Sequence, residues 1–128
     1  MNSKNQSITT DKAPSPIGPC SPAVQCGDFN FLSGQIPFDP ETGTVAGNTA
    51  AEQTRQVLSN IRAILDSREL GMHALVKTTV FLRDISRFQE FNKVYENGMQ
   101  GWKPARSVVE FSKLPRDVLV EIEANACR

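Results

Sequence analysis

The sequence predicts an α+β domain in which two helices pack on one face of a mixed β-sheet. Two segments have apolar residues at helical spacing, one after Thr49 and one after Ser86. Runs rich in β-branched and aromatic residues precede, separate and follow them, as expected for strands. Helices that cross between strands of one sheet cover a single face of it, which gives this architecture.

Length and composition restrict the possible classes of protein. The 128 residues suit one domain, 1–128, with residues 1–6 predicted as a flexible tail. Fourteen basic and fourteen acidic residues balance, so no strong field favours nucleic acid as a partner. No apolar run approaches the roughly 20 residues of a membrane span, and residues 1–6 lack the features of a targeting signal. Three cysteines without metal or redox spacing suggest a reducing compartment, so we expect a cytoplasmic protein.

The two helices are predicted from their caps and their apolar stripes. Thr49 and Glu52 form a capping box for the first helix, and Gly71 is its expected terminator. Ser86 with Gln89 is the expected cap of the second helix. The stripe residues are Val57, Leu58, Ile61, Ile64 and Leu65 in the first helix, and Phe88, Phe91, Tyr95 and Met99 in the second.

Strands are expected on both sides of these helices. A hairpin turn at Gly27-Asp28 joins two predicted strands, and the turn-rich segment 37–43 is interpreted as a loop. The predicted strands span 7–10, 23–25, 29–33, 75–82, 106–111 and 118–126. Because two helices cover only one sheet face while apolar residues alternate onto both, we expect another copy of the chain to cover the second face.

Arg106 is the most informative polar residue, because it begins a strand that is otherwise apolar. Alternation places Arg106, Val108 and Glu110 on one side of that strand. The guanidinium offers a rigid fork of donors that matches a carboxylate, so Arg106 could clamp an anion in a cleft. It could equally form a structural ion pair with a carboxylate of this chain, and the residue alone favours the ion pair.

Several other residues have both a structural and a functional interpretation. Glu121 and Glu123 share one side of the last strand, either as a solvated face or with one of them acting as an acid or base near Arg106, since we expect the last two strands to be neighbours in the sheet. Asn92 is either a helix-flank amide or a cleft residue. Ser33-Gly34 ends a strand where a ligand could approach the backbone. Cys20 lies among prolines and is interpreted as a small structural thiol.

These pieces, taken in order, resemble the reactive intermediate deaminase family, also called Rid or YjgF-like proteins. The resemblance extends from about Thr10 to Ala126, and several motifs occur in register. The matching segments include Ala13-Pro14, Ile17-Gly18-Pro19, Ser33-Gly34-Gln35-Ile36-Pro37, Asp39-Pro40-Glu41-Thr42-Gly43, Gln53-Thr54-Arg55-Gln56-Val57-Leu58, Pro104-Ala105-Arg106-Ser107 and Val120-Glu121-Ile122-Glu123-Ala124.

The resemblance implies a chorismate-mutase-like homotrimer with clefts between subunits, and a hydrolytic activity without a cofactor or metal. The implied reaction converts enamines and imines such as 2-aminoacrylate and 2-aminocrotonate to 2-keto acids and ammonia. Arg106 matches the arginine that clamps the substrate carboxylate, and Glu121 matches the glutamate that holds or activates water. Ser33, Gly34 and Asn92 match positions that line the cleft.

Two positions depart from the pattern of many family members. Cys20 occupies a position that is commonly tyrosine, which puts substrate range in question. Val108 replaces a cysteine whose contribution is thought to come through the backbone. Two alternatives stay open: a regulatory trimer that binds 2-keto acids, and the endoribonuclease or translation inhibitor named for some relatives.

Overall fold

A computed structural model describes residues 5–128. A six-stranded sheet carries two helices, α1 (Ala50–Asp66) and α2 (Phe88–Met99). The strands are β1 (Asn5–Ile8), β2 (Ala23–Cys26), β3 (Phe29–Gln35), β4 (Phe38–Asp39), β5 (Thr44–Val45), β6 (Leu75–Leu82), β7 (Ala105–Glu110) and β8 (Val120–Cys127). The order in the large sheet is β1-β2-β3-β8-β6-β7, while β4 and β5 form a separate ribbon.

The sheet is mixed, as predicted. Strands β6 and β7 run parallel, joined by α2 as a crossover, and all other neighbours in the large sheet are antiparallel. Strand β6 lies between β7 and β8. The expectation that the last two strands are neighbours was therefore wrong, because β8 inserts between β3 and β6 instead of adding to the edge.

Helix α1 forms for the predicted reasons at its start but not at its end. The Glu52 amide donates to the Thr49 hydroxyl over 3.1 Å, and the Glu52 carboxylate accepts from the Asn48 amide over 3.2 Å. The helix ends at Asp66, and Glu69 supplies the left-handed backbone there with φ of 58°. Gly71 has φ of −115°, so the prediction that it terminates the helix was wrong.

Helix α2 has the predicted stripe but a different cap. The Asp84 carboxylate accepts from the Ser86 amide over 3.0 Å and begins a short 3-10 turn, Ile85–Arg87, that leads into the helix. Ser86 was the predicted cap, yet its hydroxyl donates to Asp84. Phe91, Tyr95 and Met99 are buried against α1 and the sheet, so the stripe was predicted correctly.

Of three predictions in the amino-terminal half, one is confirmed and two need adjustment. Of the predicted tail, residues 1–4 lie outside the described residues, whereas Asn5 and Gln6 begin β1. The Gly27-Asp28 hairpin is confirmed, because Cys26 pairs with Phe29 across it. The segment 37–43, interpreted as a loop, contains β4 and the tight turn that joins β4 to β5, and the two strands form a short ribbon.

Both helices lie on one face of the sheet, as predicted. Alternate residues of the central strands, among them Leu32, Val80 and Ile122, join the helix stripes in one core. The opposite face carries exposed aromatic side chains, because alternate residues of each strand point to opposite faces of the sheet. The large apolar residues left exposed on it are Phe29, Phe31, Val109 and Phe111. No helix within residues 5–128 is long and apolar enough to cross a bilayer.

Candidate active site

A cavity of about 250 Å³ opens beside the carboxyl end of β3. Its walls include residues of the proline-rich segment 12–22, of β3 and of the start of β8. It brings together Cys20, Ser33, Gly34 and Glu121, four of the residues singled out in the sequence. The remaining lining residues are Pro14, Ser15, Pro16, Ile17, Ser21, Pro22, Gln35, Ile36, Phe38 and Pro115. We call this space the Glu121 cavity.

Glu121 points from β8 toward the face of the sheet that lacks helices and is only half-buried. Burial raises the pKa of its carboxyl above the usual range, and the Glu123 carboxylate two residues away raises that pKa further. A carboxyl with a raised pKa exchanges its proton closer to neutral pH than an ordinary glutamate does. Glu121 is thus suited to proton transfer or to holding a water molecule.

Gly34 leaves room for this carboxyl. A Cβ at position 34 would overlap the Glu121 carboxylate, so a side chain there would displace that carboxylate from its present place. The register of β3 against β8 is irregular between Leu32 and Gln35, and Gly34 lies within that irregularity. The bulge therefore directs the backbone of β3 toward Glu121.

Ser33 and Cys20 also line the Glu121 cavity. The Ser33 hydroxyl donates to the Ser21 carbonyl over 2.6 Å, and the Ser33 amide donates to the Pro22 carbonyl over 2.9 Å. These two bonds attach the proline-rich segment to β3. Cys20 is exposed and its thiol is free, so it lines the cavity as a small side chain rather than as part of a disulfide.

Arg106 lies apart from the Glu121 cavity, on the side of the edge strand β7 that faces the helices. One Nη donates to Asn92 Oδ1 over 2.9 Å, and the guanidinium carbon lies 4.8 Å from the centre of the Tyr95 ring. The rings of Phe88 and Phe91 are 5.5 and 6.0 Å away. We call these three rings and Asn92 the Arg106 cradle.

The cradle contains no carboxylate. None of the ion pairs found among residues 5–128 involves Arg106. The structural ion pair, which the residue alone favoured, was therefore the wrong interpretation. Arg106 also lines a recess of about 340 Å³ with Asn92, Tyr95, Glu96, Met99, Trp102, Lys103 and Pro104. Its positive charge remains available to an anion that enters this recess.

Arg106 and Glu121 do not meet within one chain. Arg106 pairs with Thr78, whereas Glu121 pairs with Phe81, so their side chains leave opposite faces of the sheet. Two strand spacings and three residues along the strand separate their Cα atoms by roughly 14 Å. The expectation that one glutamate lies close to Arg106 was wrong for a single chain, since it assumed adjacent strands. Val108 packs on the core and lines neither space.

Two further residues, whose roles the sequence did not indicate, shape the site. The buried Asn60 amide donates to the Ile36 and Phe38 carbonyls over 3.1 and 2.9 Å, which holds the wall of the Glu121 cavity against α1. Tyr95 was assigned only to an apolar stripe, yet it contacts Arg106. A polar residue at a buried stripe position, such as Asn60, is the signal that could have identified the first of these roles.

The chain is similar to known proteins over nearly its whole length. The family model described as endoribonuclease L-PSP matches residues 10–128. A RutC family protein of Pyrococcus horikoshii is 49% identical over 119 residues, which cover 93% of this chain and 94% of the relative. A Salmonella typhimurium protein named 2-iminobutanoate/2-iminopropanoate deaminase is 44% identical over 127 residues, covering 97% and 98%. A solved Rid family structure from Yersinia pestis superimposes with a TM-score of 0.93 at 42% identity, covering 97% and 99%.

The fold, the Glu121 cavity and the recess beside Arg106 together define the class of protein. It is an α+β protein whose mixed sheet carries a carboxyl, Glu121, on one face and an arginine without an ion-pair partner, Arg106, on the other. The match over nearly the whole chain then identifies the family. The chain belongs to the endoribonuclease L-PSP family, which includes the Rid (YjgF-like) proteins.

Proposed function

We propose that this protein hydrolyses small enamine and imine carboxylates, such as 2-aminoacrylate and 2-aminocrotonate, to 2-keto acids and ammonia. The uncompensated charge of Arg106 is the observation that carries the proposal, because a cation held by rings and an amide can bind a substrate carboxylate. The deaminase name of the Salmonella relative supports the same substrate class. The proposed reaction uses no cofactor. We also propose a cytoplasmic location, with which the three free cysteines are consistent.

The chemistry requires water addition and two proton transfers. In the imine tautomer, water adds to the carbon of the C=N bond while the nitrogen gains a proton. The hydroxyl proton of the resulting carbinolamine is then transferred to its amino group, the C–N bond breaks, and ammonia leaves as a keto group forms. Glu121 in our proposal holds the water and transfers these protons, for which a carboxyl with a raised pKa is well suited. Ser33 and the backbone at Gly34 border the same cavity.

The proposal includes a homotrimer in which each site lies between two copies. A single chain holds Arg106 and Glu121 on opposite faces of its sheet, so Arg106 of one copy and Glu121 of another must meet for both to act on one substrate. The exposed aromatic residues of the open sheet face support a contact between copies. Light scattering at micromolar concentration is expected to give three times the chain mass. A monomer would remove the shared cleft.

The activity itself is tested by coupling the protein to a pyridoxal-phosphate serine or threonine dehydratase that releases the enamine. We expect keto-acid formation to accelerate beyond the rate of spontaneous hydrolysis, and Glu121→Gln to abolish that acceleration. A wild-type protein that binds 2-keto acids but leaves the rate unchanged would favour the regulatory trimer instead.

The description of the family model raises RNA cleavage as a second candidate. The chain has fourteen basic and fourteen acidic residues, which provides no excess of positive charge for a phosphate backbone. We therefore expect that any RNA cleavage by the purified protein will be unaffected in an Arg106→Ala variant. Loss of cleavage in that variant would favour the endoribonuclease activity.

A further inference from the structure

We propose that Tyr95 and Thr78 are positioning residues for Arg106. In this arrangement, which rests on the proposed function, a bond between their hydroxyls orients the Tyr95 ring. The face of that ring then holds the guanidinium in the direction from which it binds the substrate carboxylate. Neither residue touches the reacting atoms.

The register of the sheet brings the three residues together. Thr78 on β6 is the direct partner of Arg106 on β7, and both side chains point toward α2. The Thr78 and Tyr95 hydroxyl oxygens are 2.7 Å apart in the buried layer, where Thr78 is fully buried and Tyr95 is 7% exposed. Tyr95 thus has one end fixed in the core and its ring 4.8 Å from the guanidinium carbon.

The chemistry of this contact explains why it suits a substrate clamp. A long arginine side chain has many rotamers. A carboxylate partner within the chain would fix one rotamer, but it would also occupy the N–H donors that a substrate needs. An aromatic face also attracts the cation, but it leaves the N–H donors in the plane of the guanidinium free. Asn92 occupies one donor through a neutral carbonyl. The cradle therefore orients Arg106 without neutralising it.

The Tyr95 hydroxyl must stay neutral for this to work, since a phenolate would itself pair with Arg106. Burial raises the pKa of Tyr95 above its ordinary value, and the bond to Thr78 and the charge of Arg106 lower it by less. Two ionisable groups, Glu96 and Lys103, line the recess with Arg106, and they have opposite charge. The phenol accordingly remains uncharged at neutral pH.

The experiment compares Tyr95→Leu, which removes the ring face, with Tyr95→Phe, which removes only the hydroxyl. Ile61→Leu is the matched control, because Ile61 is a fully buried residue of the same core that lines neither the Glu121 cavity nor the recess. Three readouts are taken: KM and kcat on the enamine, the Kd of 2-oxobutanoate by calorimetry, and the NMR order of the Arg106 Nε–Hε group.

We expect Tyr95→Leu to raise KM and Kd about tenfold, with kcat within about twofold, as loss of uniform substrate binding predicts. Tyr95→Phe should raise both constants about threefold. Thr78→Val should do the same, and the double variant should be no worse than either single one, because both changes break one bond. The Arg106 Nε–Hε group should become more mobile in Tyr95→Leu and stay ordered in Ile61→Leu.

Unchanged affinity and unchanged Arg106 order in a folded Tyr95→Leu protein would overturn the proposal. If that variant does not fold, Tyr95→Phe and Thr78→Val replace it, because each removes one end of the buried hydroxyl bond. Wild-type affinity and wild-type Arg106 order in both of these variants would then overturn the proposal. If the wild type binds 2-oxobutanoate without hydrolysing enamines, the deaminase proposal fails, while the binding constants still decide the role of Tyr95. If it binds no keto acid, the NMR readout decides.

Discussion

Replacing Arg106 by lysine separates the geometry of the clamp from its charge. Lysine keeps the positive charge but cannot present two parallel donors to one carboxylate. It also ends in a compact ammonium that is not matched to both Asn92 and a substrate, whereas the guanidinium donates to Asn92 over 2.9 Å with other donors free. We therefore expect Arg106→Lys to be folded and largely inactive.

The magnitude follows from the bonds that change. Loss of one charge-assisted hydrogen bond costs about 1.5–3 kcal/mol, which is about ten- to a hundredfold in kcat/KM. The free energy of unfolding should fall by less, about 0.5–1 kcal/mol relative to the wild type, because a lysine at position 106 can still lie over the Tyr95 ring. That difference lowers the melting temperature by only a few degrees for a chain of this size.

The assay measures keto-acid formation with 2-aminoacrylate beside a melting curve. Arg62→Lys is the matched control: Arg62 is exposed and also donates one hydrogen bond, to the Gly98 carbonyl over 2.9 Å. It should keep wild-type kcat/KM. A folded Arg106→Lys protein with wild-type activity would refute the clamp, and an unfolded one would show that Arg106 serves the fold.

Three further predictions concern the Glu121 cavity. Gly34→Ala should reduce turnover about a hundredfold with a nearly unchanged melting temperature, because the new Cβ displaces the Glu121 carboxylate; unchanged turnover would show that this carboxylate need not be fixed. The folded-state pKa of Glu121 is raised, so wild-type stability relative to Glu121→Gln should be greatest below pH 4.5 and decrease as pH rises through that raised value; parallel melting curves across that range would contradict it. Cys20→Tyr should raise turnover on small enamines or change the preference among them, and an unaltered substrate profile would make Cys20 merely structural.

Local features of the fold were predictable because their causes lie within a few residues. The Thr49–Glu52 cap, the two helix stripes and the Gly27-Asp28 turn each depend on neighbours in sequence, and the structure confirms them. The caps that failed involve competition between nearby groups. Asp84 is the cap because its carboxylate accepts from both the amide and the hydroxyl of Ser86, which leaves the Ser86 hydroxyl bound to Asp84 instead of to the helix.

Strand order was not predictable in this way, and the site depends on it. Alternation correctly placed Glu121 and Glu123 on one side of β8, but it cannot specify which strand lies beside β8. Insertion of β8 between β3 and β6 sets Glu121 against Gly34 and separates it from Arg106. The Arg106 cradle was missed because it too depends on packing: Arg106 on β7 contacts the α2 rings only when α2 lies over the paired strands β6 and β7.

A mixed-oligomer experiment tests the central claim, a site shared between copies, most directly. Arg106→Ala and Glu121→Gln proteins, each inactive alone, are unfolded together in equal amounts and refolded as a mixture. If each site takes Arg106 from one copy and Glu121 from another, random assembly restores both residues in about a quarter of the sites. We predict about a quarter of wild-type deaminase activity in the mixture. Activity no greater than that of the separate variants, in a mixture shown to contain mixed oligomers, would contradict the shared site.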